Sequence, residues 1–302
     1  MRKLLFASLL LLPGMIACNA GDPEYVNLVS TMKDPGGNPF IATSIAISPD
    51  NGRLAISRID APGERHPFLC TMGTDASGYQ ELPAQGRNVA WSHDGLILYF
   101  DDETNICSIN RDGTNRQQVN LTPIGKKIIP KPSPDGKYLA FILTTEKFGY
   151  GIATKNYIYL YNLATAAYTC VNAEPLFITN FNWSRDSKSI FFEKGYEVIG
   201  RGITYTIWKA TNLESGSPSI VQVGSGANPY PLGDGRIVHT GGIMNGDGSA
   251  NIELVHITMS RPLVIEGVPN YLFFLDKDGY LFKMEIPDLS KSWEEAYTMW
   301  WD

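Results

Sequence analysis

A short phrase recurs along this chain and dictates most of what it can fold into. It stands as Ser133-Pro134-Asp135-Gly136-Lys137-Tyr138-Leu139-Ala140-Phe141, and again as Ser48-Pro49-Asp50-Asn51-Gly52-Arg53-Leu54-Ala55-Ile56 and Ser92-His93-Asp94-Gly95-Leu96-Ile97-Leu98-Tyr99-Phe100. It returns as Ser184-Arg185-Asp186-Ser187-Lys188-Ser189-Ile190-Phe191-Phe192 and, worn, as Gly233-Asp234-Gly235-Arg236-Ile237-Val238-His239. Proline presets φ at the second turn position, Asp bonds to nearby main chain, and Gly closes the turn. An extended segment precedes each turn, as in Asn88-Val89-Ala90-Trp91, and an apolar run that reads as a buried strand follows it. Each copy is therefore a β-hairpin.

A second hairpin often follows the first, as around the Arg111-Asp112-Gly113-Thr114-Asn115 turn. Two hairpins make a four-stranded antiparallel sheet, and one such sheet cannot bury both of its faces alone. The copies recur every 40 to 50 residues or so, an interval that fits propeller blades rather than helical repeats, whose apolar residues would fall at helical spacing. The expectation is an all-β chain of packed four-stranded blades. Blades one to four are clear, and blade five has a degenerate turn. Blade six keeps only the hairpin around Lys277-Asp278-Gly279, so five blades remain an alternative to six.

These phrases resemble the TolB-like β-propeller repeats, relatives of WD-repeat blades, over about Thr43 to Ile286. The resemblance implies a six-bladed propeller. TolB itself carries a further α/β domain ahead of its propeller, for which this chain has no room, so the resemblance is carried over as a fold and not as a role.

Residues 1–18 read as a targeting segment. Arg2 and Lys3 precede the apolar run Leu4 to Leu12, and Met15-Ile16-Ala17-Cys18 looks like a lipobox in which Cys18 is lipidated. The alternative is plain cleavage after Ala20. Residues 19–39 are a linker, and 40–302 a single propeller domain. Two segments compete to close the ring: Tyr25 to Val29 in the linker and Trp293 to Trp301 at the other end. By its sorting signals the chain is expected to be exported, as an outer-membrane or periplasm-facing envelope protein and a monomer. A formal net charge of −6 argues against a nucleic-acid binder, which needs a basic face to neutralise phosphates.

The expected partner is an envelope protein, peptide or glycan bound by a non-catalytic scaffold. A propeller-type carbohydrate lyase or hydrolase is the alternative. No Gly-x-Ser-x-Gly elbow, phosphate-cradling glycine loop or His-Glu-x-x-His stands in the sequence, so no cofactor, metal or catalytic residue is assigned. His239 and His256 fall on neighbouring strands of blade five, where a structural pair is favoured over a metal site. Asn245-Gly246-Asp247-Gly248-Ser249 has calcium-type acceptors but reads better as a flexible turn. Cys70, Cys107 and Cys170 have no metal-like spacing, and the first two hold equivalent mid-sheet positions as buried thiols.

Strand alternation puts the Ser-x-Asp-Gly turns on one face of the ring. The longer connections, at 58–67, 144–155, 193–204 and 240–251, fall on the other. Loops longer than a hairpin needs are where binding tends to reside. The candidate ligand-binding residues on that face are Arg58, Arg65, His66, Lys147, Tyr150, Tyr196, Arg201 and Asp247.

Overall fold

The computed structural model describes residues 26–27, 34, 36–38, 40–60, 66–74, 77–147, 154–198, 202–240, 242–250, 252–253, 261–265, 271–275 and 281–285. These residues form six four-stranded antiparallel sheets. The first described strand, β1 (Val26–Asn27), belongs to the last sheet. Blade one is β2 (Ile41–Ile47), β3 (Arg53–Ile59), β4 (Phe68–Gly73) and β5 (Gln80–Gln85). Blade two is β6 (Arg87–Trp91), β7 (Ile97–Asp101), β8 (Ile106–Asn110) and β9 (Gln117–Gln118). Blade three is β10 (Lys126–Pro132), β11 (Tyr138–Lys147), β12 (Thr154–Asn162) and β13 (Tyr168–Cys170). Blade four is β14 (Phe181–Trp183), β15 (Ile190–Val198), β16 (Gly202–Thr211) and β17 (Ser219–Ser225). Blade five is β18 (Tyr230–Pro231), β19 (Arg236–His239), β20 (Gly242–Asn245) and β21 (Ile252–Glu253). Blade six is β22 (Arg261–Ile265), β23 (Tyr271–Leu275) and β24 (Leu281–Glu285), completed by β1.

The first strands of successive blades touch, and β2 meets β22, so the blades close into a ring. Val26 pairs with Lys283 and Asn27 with Phe282. The N-terminal candidate thus supplies the outer strand of blade six, while the rival segment 293–301 lies outside the described residues.

The repeated phrase earns its shape from one hydrogen-bond pattern, built four times over. Ser133 donates its hydroxyl to Asp135 Oδ1 at 2.6 Å and accepts the main-chain N–H of Tyr138 at 2.9 Å. Asp135 Oδ1 also accepts the N–H of Lys137 at 3.1 Å. Ser48 with Asp50, Ser92 with Asp94 and Ser184 with Asp186 repeat it. One residue per turn sits in the left-handed region: Gly95 (φ 68) and Gly136 (φ 72), but Asn51 (φ 59) and Ser187 (φ 61) in their sister turns. In blade five Leu232 holds the serine place, and Asp234 instead takes both the N–H and the Nε of Arg236, at 3.0 and 2.7 Å.

Packing between blades is apolar. Ala55, Leu69 and Leu82 of blade one lock against Leu98, Phe100 and Ile109 of blade two. Ile142, Ile158 and Leu160 of blade three meet Phe181, Ile190 and Phe192 of blade four. Cys107 is buried in the first of these clusters and Cys70 is buried beside Arg58 and Tyr79; burial pushes their thiols up to about 11 and about 12, which leaves them unreactive.

The structure revises the blade-five expectation. Residues 240–251 are not one long loop. They hold β20 and then a tight turn that copies the second turn of blade two: Asp247 Oδ1 accepts the N–H and hydroxyl of Ser249 at 2.9 and 2.6 Å. Asp112 and Thr114 make the same two bonds, at 2.9 and 2.6 Å. Asn110 and Asn245 each brace their turn through the side-chain amide, at 2.9 and 3.0 Å. Asp247 Oδ1 and Ser249 Oγ, two of the acceptors that looked calcium-like, are bound to each other within the turn.

Candidate functional site

At the ring axis, where the first strands end in their Ser-x-Asp-Gly turns, lies a cavity of about 290 Å³. Five blades contribute to it. Trp91, Trp183 and Tyr230 form aromatic walls, Lys131 and Asn182 project from first strands, and His93 and Arg185 come from the turns themselves. Pro49, Pro132, Pro134 and Pro231 make much of the remaining surface.

The lining is positioned by bonds that cross blade boundaries. Trp91 donates its indole N–H to the carbonyl of Ala46 at 3.2 Å, and Trp183 donates to the carbonyl of Lys131 at 2.9 Å. Asn182 donates to the carbonyl of Pro229 at 2.7 Å. Lys131 donates its ammonium to Asn182 Oδ1 at 2.5 Å and to Asn180 Oδ1 at 3.1 Å, with Nζ 5.6 Å from the Phe181 ring centre. At the rim the turns pack on one another. A Cβ on Gly136 would fall 2.4 Å from the His93 ring, and the Asp135 N–H reaches Ser187 Oγ at 3.0 Å.

The turn carboxylates sit beside this mouth but are occupied. Their serine hydroxyls hold Asp50, Asp94 and Asp186 below the usual carboxylate range. At Asp135 burial pushes upward, yet the Ser133 hydroxyl and the Lys137 N–H outweigh it and the net direction is down.

Further from the turns, buried polar groups tie blades one, two and four to the blade that follows each. Ser44 binds Ser57 at 2.9 Å and accepts the N–H of Val89 at 3.2 Å. Asp101 accepts the Asn88 amide at 2.8 Å and the N–H of Ile129 at 3.1 Å. Glu193 accepts the Thr179 hydroxyl and, at 2.5 Å, the N–H of Asn228. Ile129 and Asn228, whose N–H groups reach the preceding blade, have positive φ, as does Asn88 just before Val89. Burial raises the Asp101 carboxyl above its usual range, against the pull of Asn88.

The sequence-predicted residues with described side chains, Arg58, His66, Tyr196 and Asp247, stand apart in blades one, four and five. Arg58 lies in β3 and is buried, its side chain 6% exposed, with its guanidinium 5.1 Å from the Phe40 ring centre and 5.6 Å from that of Tyr79. Nη2 faces Glu81 at 3.3 Å and Asp60 at 3.5 Å, whereas Nε, Nη1 and the Tyr79 hydroxyl are buried without hydrogen-bond partners. The Tyr79 hydroxyl lies beside the Cys70 thiol, and burial raises its pKa. The aromatic faces stand in for the missing acceptors, and this arginine is a packing element rather than a loop-face contact. Tyr196 is 46% exposed, but it belongs to β15 and not to a loop. Asp247 is on the turn face, as described above, and His66 is an exposed residue just before β4. Arg65, Tyr150, Arg201, Cys18 and His256 lie outside the described residues, as does the side chain of Lys147.

Sequence reasoning missed Lys131, Asn182 and Trp183 as a group. Their signal was a shared offset: Ala46, Ala90, Lys131, Asn182 and Tyr230 each stand two places before the turn residue of their blade, on strands that face the axis. Among the described residues no group of three His, Cys, Asp or Glu could hold a metal ion.

No protein-family model matches the chain, and no curated protein matches it in sequence. Solved structures do match in shape. A structure of putative TolB from Agrobacterium tumefaciens superposes with a TM-score of 0.52 at 15% identity, covering 87% of this chain and 97% of that one. Oligogalacturonate lyase from Vibrio parahaemolyticus gives 0.51 at 11% identity, covering 83% and 92%. TolB from Acinetobacter baumannii gives 0.45 at 15% identity, and this chain spans 55% of its length while 82% of this chain is covered. At these identities what is shared is the fold, a TolB-like β-propeller.

Proposed function

We propose that this chain is a non-catalytic binding scaffold of the bacterial cell envelope, holding its ligand at the turn-side mouth of the propeller axis. The observation that carries the reading is the axial cavity itself, to which five blades contribute side chains fixed by inter-blade hydrogen bonds. A site assembled from many rigid strands is held more precisely than one built on loops. Its volume of about 290 Å³ lies at the small end of ligand pockets, and it suits a few side chains or a chain end rather than a folded domain.

The envelope address rests on Arg2, Lys3, the apolar run and Cys18. Radiolabelled palmitate should enter the full chain and fail to enter Cys18→Ala; equal labelling of both rejects the anchor.

The binding role is tested by placing a photocrosslinking amino acid at Asn51, on the cavity wall, and at Thr114, in an outer turn, in living cells. Discrete adducts from Asn51 and none from Thr114 support the reading. The enzyme alternative predicts turnover of a uronate or neutral oligosaccharide that Lys131→Ala abolishes, and that result would replace the scaffold.

A further inference from the structure

We infer that the axial cavity recognises a carboxylate carried by an extended peptide, and that Lys131 and Arg185 are the residues that receive it; this rests on the binding reading above and names its ligand. The described residues lining the cavity include His93, Lys131 and Arg185 and no Asp or Glu, although the chain as a whole carries 31 acidic against 25 basic residues. The charge of the lining therefore runs against that of the molecule, as a site for an anion requires.

The cation is also built in rather than incidental. Lys131 comes from an innermost strand and is half-buried, and two amide oxygens fix the direction of its ammonium. Both amides are themselves anchored in the next blade: Asn182 on the Pro229 carbonyl, and Asn180 through its amide N–H to Asn228 Oδ1 at 3.1 Å. Arg185 occupies the exposed second position of its turn, where Pro49 and Pro134 stand in blades one and three, and lines the mouth of the cavity. The acids nearest the mouth, Asp50, Asp94, Asp135 and Asp186, are exposed to solvent and each is bound by its own turn serine.

The remaining walls favour a peptide over a sugar. Trp91 and Trp183 are buried to 7% exposure and spend their indole N–H groups on neighbouring blades, so little ring face is left for stacking on a pyranose. Sugar hydroxyls also need acceptors, and no described lining side chain is a carboxylate. Four prolines and two indole edges instead offer a narrow apolar sleeve that an extended chain can enter.

The test uses the full chain in detergent with three probes: C-terminally amidated pentaglutamate carrying an uncharged coumarin label, its amidated pentaglutamine counterpart with the same label, and trigalacturonate as competitor. Pentaglutamate is expected to bind at least tenfold more tightly than pentaglutamine and to weaken with added salt. Lys131→Gln should lower its affinity at least tenfold, Lys131→Arg should restore most of it, and Arg185→Gln, on an exposed turn, should lower it severalfold with an unchanged melting temperature. Equal binding of both peptides overturns the inference while leaving a binding cavity in place. Trigalacturonate that outcompetes pentaglutamate assigns the carboxylate to a glycan and overturns the peptide. Binding of neither peptide, with adducts still forming from Asn51, overturns the carboxylate alone, whereas loss of both also removes the reading beneath it.

Discussion

The indole N–H of Trp183 in blade four donates to the carbonyl of Lys131 in blade three at 2.9 Å, so the residue that walls the cavity also staples two blades beside its cation. The equivalent Trp91 does the same to Ala46. Replacing Trp183 by Phe removes the bond while keeping much of the ring, and should cost about 1 kcal/mol. Trp183→Ala also empties part of the blade three to four core and should cost about 3–5 kcal/mol. Urea midpoints at constant slope measure both, and a Trp183→Phe midpoint equal to that of the parent chain would show that the hydrogen bond contributes nothing.

Gly136 and Gly235 separate two demands on a turn glycine. Both have positive φ, at 72 and 88, but a Cβ on Gly136 meets the His93 ring whereas one on Gly235 meets nothing within 4 Å. Gly235→Ala should cost about 1–2 kcal/mol of left-handed strain. Gly136→Ala should cost more, and His93→Ala in the same chain should recover the excess. A double-mutant cycle with no coupling would dismiss the packing of one turn on the next.

Acid should weaken the turns. A carboxyl whose folded pKa lies below its unfolded value of about 3.9 adds stability above that value and loses it as pH falls through the folded pKa. Asp50, Asp94, Asp135 and Asp186 all shift this way. Asp94→Asn should flatten the fall in urea midpoint below about pH 4 relative to the parent chain.

Asp101 has the opposite sign. Its folded pKa is raised, so the native state holds the proton longer than the unfolded chain does. Stability then declines as pH rises from the unfolded value of about 3.9 through the folded one. The midpoint of the parent chain relative to Asp101→Asn should therefore drop over that interval and level off above it. A constant difference across the interval would mean that Asp101 ionises as it does in water.

Removing residues 1–33 deletes β1 and leaves β24 as a bare edge in a three-stranded blade six. The truncated chain should melt earlier and aggregate at lower concentration than the full chain, since an unpaired edge is a template for association. Identical melting and light scattering would show that blade six stands without it.

The hairpins, the blades and the buried thiols were legible because each depends on residues close in sequence: a Ser and an Asp two places apart, or alternation along one strand. What was not legible depends on offsets across blades. Lys131, Asn182 and Trp183 meet at the axis only because the strands that carry them share a position in separate repeats, and nothing local marks them. Arg58 was misplaced for a related reason. A cation ten residues past a turn serine looks like a loop residue until the Phe40 and Tyr79 rings close over it. Asp247 was read as part of a long connection because Gly242–Asn245, only four residues between Gly241 and Gly246, is too short to announce a strand.

Pairing Val26 with Lys283 gives the molecule an order of assembly. The first strand to leave the ribosome has no partner until the last has been made, so blades one to five can form while blade six waits. The seam between first and last blades must then be the final one to zip. Among the described strand pairings it spans the longest stretch of chain and carries the largest loop-closure entropy, which makes it the natural slow step in folding and the first place for the ring to open.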